Sequence, residues 1–592
     1  MTKRNLVMLA ISLALTAPAA VQANAFGLPD TQSVSAFKTY LPAQGRLGTV
    51  NVNPYGNAPL AAVIKRMSLE PTDITVTVRG KGDKGVDISY PVGRTSLLTH
   101  DGIPVFGLYP NHLNLVDVEY SLNGERINET YKVLTGGIDL PVGEGQTEIL
   151  PKVTAAKVAK GFEQRLYLLD YNHNNAYNER WRKSQGGQVW DSTPLKWISD
   201  TNGDVRWVMD PANFHSRTDG TYMGDMNGFH QTADGSFIVG KGQRVFKFDM
   251  LGKIQWNILL PQGYVDHSHD IDEMPNGNLL VRVAKEDYPL DNGRLVTTVR
   301  DIVIEMTPSG QVVEEWDMNK ILDPFRDAML IAMDQGAVCM NVNVDKAGEV
   351  MTKEELDKQP YGDIPGVGPG RNWLHINSVQ YIAEDDSIII SPRHQATAIK
   401  IGRDKQVKWI LGNSQGWQQP WASKLLTPVD AAGNKLDCNV KGECRGTDFD
   451  FSYTQHTAYY NPEIGSLSVF DNGDARHMTQ PSLPFMKYSR AVEYQINEQD
   501  MTVQQTWQYG KERGYDWYSH VTSNVFYRPE TDTYQIHSAS AGLFDKTRLP
   551  IHYVNEVKRG SQEVMVELQV QSYRLHKVGY RASVVDQDKL FQ

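Results

Sequence analysis

Gly252-Lys253-Ile254-Gln255-Trp256 is a turn residue followed by an apolar/polar alternation that ends in tryptophan. The same figure returns as Gly203-Asp204-Val205-Arg206-Trp207, Gly310 to Trp316, Lys405-Gln406-Val407-Lys408-Trp409 and Met501 to Trp507. Strand pairs separated by turn signals, repeating with a periodic aromatic, are the sequence form of β-propeller blades. The run Gly560 to Val570, or the one near Arg165 to Asp170, supplies a further blade. The expectation is an all-β chain with a propeller of about six blades. Uneven spacing, greatest between Trp316 and Arg371, marks long insertions.

A second register runs through the same repeats. Asn227, His269, Asn377, His456 and Ser523 are each followed six positions later by Ala233, Pro275, Ala383, Pro462 and Pro529, at the head of a turn and a β-run. Equivalent positions in radially arranged repeats converge, so these side chains are expected around a pseudo-symmetry axis. His267 and His375 precede His269 and Asn377 by two residues and share their strand faces. His520 belongs to the last repeat, and Arg393 ends the strand after His375. Tyr222, near Asn227, and Thr522 join His520 and Asn377 as candidate substrate contacts.

Several imidazoles, an amide and an arginine without a dense set of carboxylates describe an oxyanion pocket better than a hard-cation site. Three readings stay open beside it. Imidazoles bind zinc or copper, although Arg393 would oppose a cation and no His-Glu-x-x-His helix is present. Trp-containing repeats also occur in quinone-cofactor propellers, and a propeller face can serve as a binding module without catalysis.

Lys3 and Arg4 precede the apolar run Leu6 to Ala20, and Ala23-Asn24-Ala25 has the small-x-small form of a signal-peptidase site. Residues 1–25 therefore read as an export signal, with the mature chain starting near Phe26. The run is short for a membrane span. A net charge of −11 offers no basic surface for nucleic acid. Of three cysteines, Cys438 and Cys444 bracket a polar loop and read as a disulfide formed after export, while Cys339 reads as a buried thiol.

From Phe26 to about Thr154 there is no tryptophan. Ile74 to Arg79, Val86 to Tyr90 and the hairpin Leu115 to Val133 around Asn123-Gly124 indicate a small β-sandwich over 26–154. Pro141 to Gly161 reads as a linker into the propeller at 155–592. Thr352 to Gln359 is the clearest helical stretch, opened by Thr352 and Glu355 in a capping-box pattern.

The sandwich before a Trp-repeat propeller, Leu374-His375-Ile376-Asn377-Ser378, Ser391-Pro392-Arg393-His394-Gln395, the Cys438/Cys444 loop and Tyr453-Thr454-Gln455-His456-Thr457 together resemble the bacterial periplasmic arylsulfate sulfotransferases, over essentially the whole mature chain. The resemblance implies that His456 attacks the sulfuryl group of a phenolic sulfate ester, and that His269, His375, Asn377 and Arg393 hold its oxygens. It further implies a ping-pong exchange between phenols with no cofactor, no nucleotide and no metal. A DsbA-like oxidoreductase as the partner that installs the disulfide, and a homodimer, follow from the same resemblance. No phosphate-cradling Gly-x-x-x-x-Gly-Lys-Ser/Thr run and no Cys-x-Pro-x-Arg segment occur in this sequence.

Overall fold

The computed structural model describes residues 40–41, 45–138, 140–141, 147–172, 177–180, 188–216, 219–222, 224–267, 269–326, 371–479, 482–543, 545–573 and 577–592. The signal segment, Cys339 and the helix expected at Thr352 to Gln359 lie outside them.

Six units built on four antiparallel strands are present among the described residues, three of the sheets carrying a fifth strand. Their inner strands are Gly579–Val584 in blade 1, Met226–Gln231 in blade 2 and Ile271–Glu273 in blade 3. Ile376–Ile382, Ala458–Asn461 and Asn524–Arg528 follow in blades 4, 5 and 6. Each inner strand contacts the next, and blade 6 returns to blade 1, so the sheets form a closed ring. Both sequence runs offered for a further blade are used. Leu166–Asn172 pairs with Gly579–Val584 in blade 1, and Val564–Gln571 is an outer strand of blade 6.

The tryptophan repeat has a mechanical meaning. Trp207, Trp316, Trp409 and Trp507 sit on the outer strands of blades 1, 3, 4 and 5. Their indole N–H groups donate to Met250 O, Gly402 O, Glu498 Oε1 and Ser561 O, at 2.9, 3.1, 2.9 and 2.6 Å. Every acceptor lies at the turn between the third and fourth strands of the next blade. A buried indole must find such a partner, and here the partner fastens one blade to its neighbour.

Inner strands have open edges, which a propeller has to satisfy without extending the sheet. Neighbouring side chains do this. Asp270 and Asp272 of blade 3 accept from the backbone N–H groups of Val379 and Tyr381 in blade 4, at 3.0 and 2.9 Å. Ser378 and Gln380 of blade 4 accept in turn from Ala458 and Tyr460 of blade 5, at 3.0 and 2.7 Å. Asn524 accepts from Ala582, at 2.9 Å, across the seam from blade 6 to blade 1.

The N-terminal domain is two four-stranded sheets. One holds Tyr40–Leu41, Val50–Val52, Ala61–Lys65 and Gly102–Phe106; the other Ile88–Val92, Thr72–Val78, Leu113–Leu122 and Glu125–Leu134. Asn123 and Gly124, with φ of 51° and 83°, make the mirror-image turn that Asn-Gly favours. The domain's core continues into blades 1 and 2. Arg206 of blade 1 donates to the carbonyls of Gly107 and Val86, at 2.9 and 2.7 Å. The stretch read as a linker carries a strand, Lys152–Val158, which joins blade 6 as a fifth, outermost member because its edge meets the free edge of Val564–Gln571.

Candidate active site

The loops that lead into the inner strands and the turns after the second strands emerge on one face of the ring. His269 stands just before the inner strand of blade 3, His375 before that of blade 4, His456 before that of blade 5 and Ser523 before that of blade 6. Arg393 and His394 form the turn after Ser387–Pro392. The Arg393 and His394 N–H groups bond to the carbonyls of His375 and Leu374, which brings that turn back to the axis. The His269 ring centroid is 5.0 Å from His375 and 6.0 Å from His456, and His375 is 4.6 Å from His394. His269, His375 and Ser523 adopt φ of 73°, 54° and 89°. Left-handed backbone at non-glycine residues costs about 1–3 kcal/mol each and gathers at functional sites.

His456 is 3% exposed, and its Nδ1 lies 2.8 Å from the Ser523 carbonyl. A carbonyl only accepts, so Nδ1 carries the proton and Nε2 keeps its lone pair. His394 Nδ1 donates likewise to Asn372 O at 2.5 Å, and the Asn372 amide donates to His375 Nδ1 at 2.8 Å. Burial drives His269, His375 and His456 well below the usual imidazole pKa, with Arg300 the next cause for the first two and Arg581 for the third. Burial and Arg393 lower His394 to about 3. The group is a set of neutral imidazoles beside fixed cations. Arg393 Nη2 donates to the His520 carbonyl at 3.4 Å, while its Nε and Nη1 are buried without a partner among the described residues.

The site thus brings His269, His375 and His456 together beside Arg393, with Asn377 in the register position of His269 and His456. Asn377 Nδ2 donates to Gln455 O at 2.7 Å, and its Oδ1 has no partner among the described residues. His520 meets Arg393 through its carbonyl, and its ring packs on Tyr518 at 4.2 Å. Thr522 adjoins Ser523 and its hydroxyl turns to the Val521 carbonyl, at 2.5 Å. Asn227 accepts from Asn172 at 3.0 Å. Tyr222 lies over the outer strands of blade 2, under the Arg244 guanidinium at 4.5 Å and bonded to Asn257, with no ring contact to the histidines among the described residues. His267 packs against Gly240 between blades 2 and 3, where a Cβ on that glycine would fall 2.0 Å from its ring.

Neither the repeat register nor its spacing points to Arg300, His394, Tyr580 or Arg581. His394 adjoins Arg393 in the quoted motif, which was the one available signal. The others lie in a loop and in a strand that repeat spacing does not reach.

Cys438 and Cys444 form a disulfide. Inside the loop it closes, the Lys441 carbonyl accepts from the Tyr453 hydroxyl at 2.8 Å, which props the segment leading to His456. Among the described residues no three His, Cys, Asp or Glu side chains are grouped to hold a metal ion.

Residues 152–581 match the family model described as Arylsulfotransferase (ASST), and 49–136 match the Arylsulfotransferase Ig-like domain. An arylsulfate sulfotransferase AssT of Escherichia coli O6:H1 is 46% identical over 576 residues, covering 94% of this chain and 96% of its own. That of Lelliottia amnigena is 44% identical over 587 residues, covering 96% and 97%. With both domains matched and nearly the whole length shared, the chain belongs to the arylsulfotransferase family.

Proposed function

We propose that the protein transfers a sulfuryl group from a phenolic sulfate ester to another phenol by a ping-pong route through a sulfohistidine on His456. The observation that carries this is the tautomer. Ser523 fixes the proton on Nδ1, so the imidazole offers a lone pair at Nε2 beside the unspent donors of Arg393. Sulfuryl transfer, like phosphoryl transfer, spreads charge over three equatorial oxygens, so catalysis rests on positioning and electrostatic stabilisation.

In the first half-reaction Nε2 forms a bond to sulfur, the sulfur–aryl-oxygen bond breaks, and its electron pair leaves with the phenolate. The positive charge left on the sulfated imidazole sits at Nδ1–H, against the Ser523 carbonyl. His269 is neutral and has no proton to give without becoming an imidazolate, so the phenolate, with a pKa near ~10, departs as the anion. In the second half the acceptor's oxygen attacks sulfur, its proton passes to His269 and on to solvent, and Nε2 recovers its lone pair. Periplasmic location after cleavage near Ala25, a DsbA-like oxidant for the Cys438–Cys444 bridge and a homodimer belong to the same reading, supported by the N-terminal pattern and the family.

Incubation with an aryl sulfate followed by intact-mass and peptide mapping tests the intermediate. One added sulfuryl group on the peptide spanning Tyr453 to Thr457 is expected, with none in His456→Asn. A stable adduct elsewhere, with His456→Asn still turning over, overturns the assignment.

A further inference from the structure

Arg581 reaches from blade 1 across the axis. Its Nη1 lies 2.6 Å from Asp270 Oδ1 in blade 3, and its Nη2 donates to the Asn377 carbonyl in blade 4 at 2.7 Å. In a six-membered ring blades 1 and 4 face each other, so the guanidinium bridges the central channel. Asp270 extends the bar. Its Oδ2 accepts from Val379 N at 3.0 Å and from the Tyr459 hydroxyl of blade 5 at 2.8 Å. Tyr580, beside Arg581, donates to the His269 carbonyl at 2.9 Å and sets its ring edge-on to His456 with centroids 5.1 Å apart. Groups from blades 1, 3, 4 and 5 therefore meet in one layer directly beneath the histidines. Arg581 and Asp270 are each 5% exposed.

Below that layer lining side chains are open to solvent. Asp272 follows Asp270 on the same strand face, and its side chain is 20% exposed; His230, 3.7 Å from it, is 32% exposed. Tyr459 and Phe526 stack there at 5.1 Å, both part-exposed.

We propose that Arg581 is a positioning residue that seals the floor of the transfer site, making it a well with a single mouth and holding channel water away from the sulfated His456. The proposal rests on the sulfohistidine reading and deepens it. With one mouth, the first phenol must leave before the second can enter. With a sealed floor, the sulfur meets the acceptor phenol rather than water. If the floor opens, a water oxygen attacks sulfur, the sulfur–nitrogen bond breaks with its electron pair returning to Nε2, and sulfate leaves with both protons of the water released to solvent.

The test is the partition of sulfuryl groups between aryl sulfate product and free sulfate at saturating acceptor phenol. Arg581→Lys keeps a charge but cannot span both partners, and Arg581→Met keeps bulk without charge. Each is expected to raise the fraction released as free sulfate on the order of tenfold, since water exclusion is what suppresses hydrolysis of a reactive intermediate. A lower kcat alone would fit any structural role; the product ratio would not. Should Arg581→Met fail to fold, Arg581→Lys decides, with unfolding midpoints taken on both. Folded variants that keep the parent ratio overturn the proposal. The ratio counts products only, so it stands apart from the mapping of the adduct, whose failure would remove the sulfohistidine and leave the floor measurable.

Discussion

Arg393 holds two buried donors in reserve, and a buried guanidinium without acceptors is costly unless something arrives to use them. An ester's sulfuryl oxygens are the fitting partners. Arg393→Ala is expected to lower kcat by about 10²–10³ while the protein unfolds at nearly its parent midpoint, as for loss of one oxyanion donor. Steady-state kinetics beside a melting curve check this, and near-normal turnover would place the clamp elsewhere. At this scale the sequence is readable where a residue sits in the repeat: His269, Asn377 and His456 share a register because equivalent positions lead into the inner strands of blades 3, 4 and 5, and His375 lies two residues before Asn377. Arg300 enters from a turn within blade 3, and Tyr222 is close to Asn227 in sequence although the chain carries it outward beneath Arg244. Proximity along the chain and proximity at the axis part company wherever a loop intervenes.

Between elements, the seams are hydrogen-bonded through side chains as well as packed. Ser378 and Ala458 are both fully buried, and Ser378 Oγ is the acceptor for the Ala458 N–H. Ser378→Ala leaves that donor stranded and should cost about 1–3 kcal/mol by denaturant titration. Trp409→Phe removes a donor without stranding one, since Glu498 Oε1 also receives Lys400, so a smaller loss of about 1 kcal/mol is expected. The Trp repeat is legible because one latch recurs on the outer strands of blades 1, 3, 4 and 5. The closing strand is not, because blade 1 splits its pattern between Leu166 and Gly579, and a search for consecutive repeats cannot see half a blade. The stretch 152–158 read as a linker for a similar reason: its partner strand is at 564–571.

Across the whole molecule, buried neutral histidines set the response to acid. Burial lowers His267 and His552 to about 3, and His100, His520 and His537 to about 4. In the unfolded chain these groups titrate near ~6.5, so between there and about 3 the unfolded state binds more protons than the folded one. Stability is therefore full above about 6.5 and declines as pH falls through that window. Denaturant midpoints measured from pH 7.5 down to 4 should fall steadily, and a midpoint that rose on acidification would contradict the burial seen here.

Closure of the ring also has a history in time. Blade 1 needs Gly579–Val584 beside Leu166–Asn172, so it stays incomplete until every residue of blades 2 to 6 has been made. Pairings of such sequence separation form slowly. His269, His375 and His456 are all synthesised earlier, yet Tyr580 and Arg581, which brace them, arrive only with that strand. A growing or refolding chain thus acquires most of its β-structure before it acquires chemistry. On refolding, the return of sulfotransferase turnover should lag behind the recovery of tryptophan fluorescence, and an unfinished chain would meet its substrates without the means to act on them.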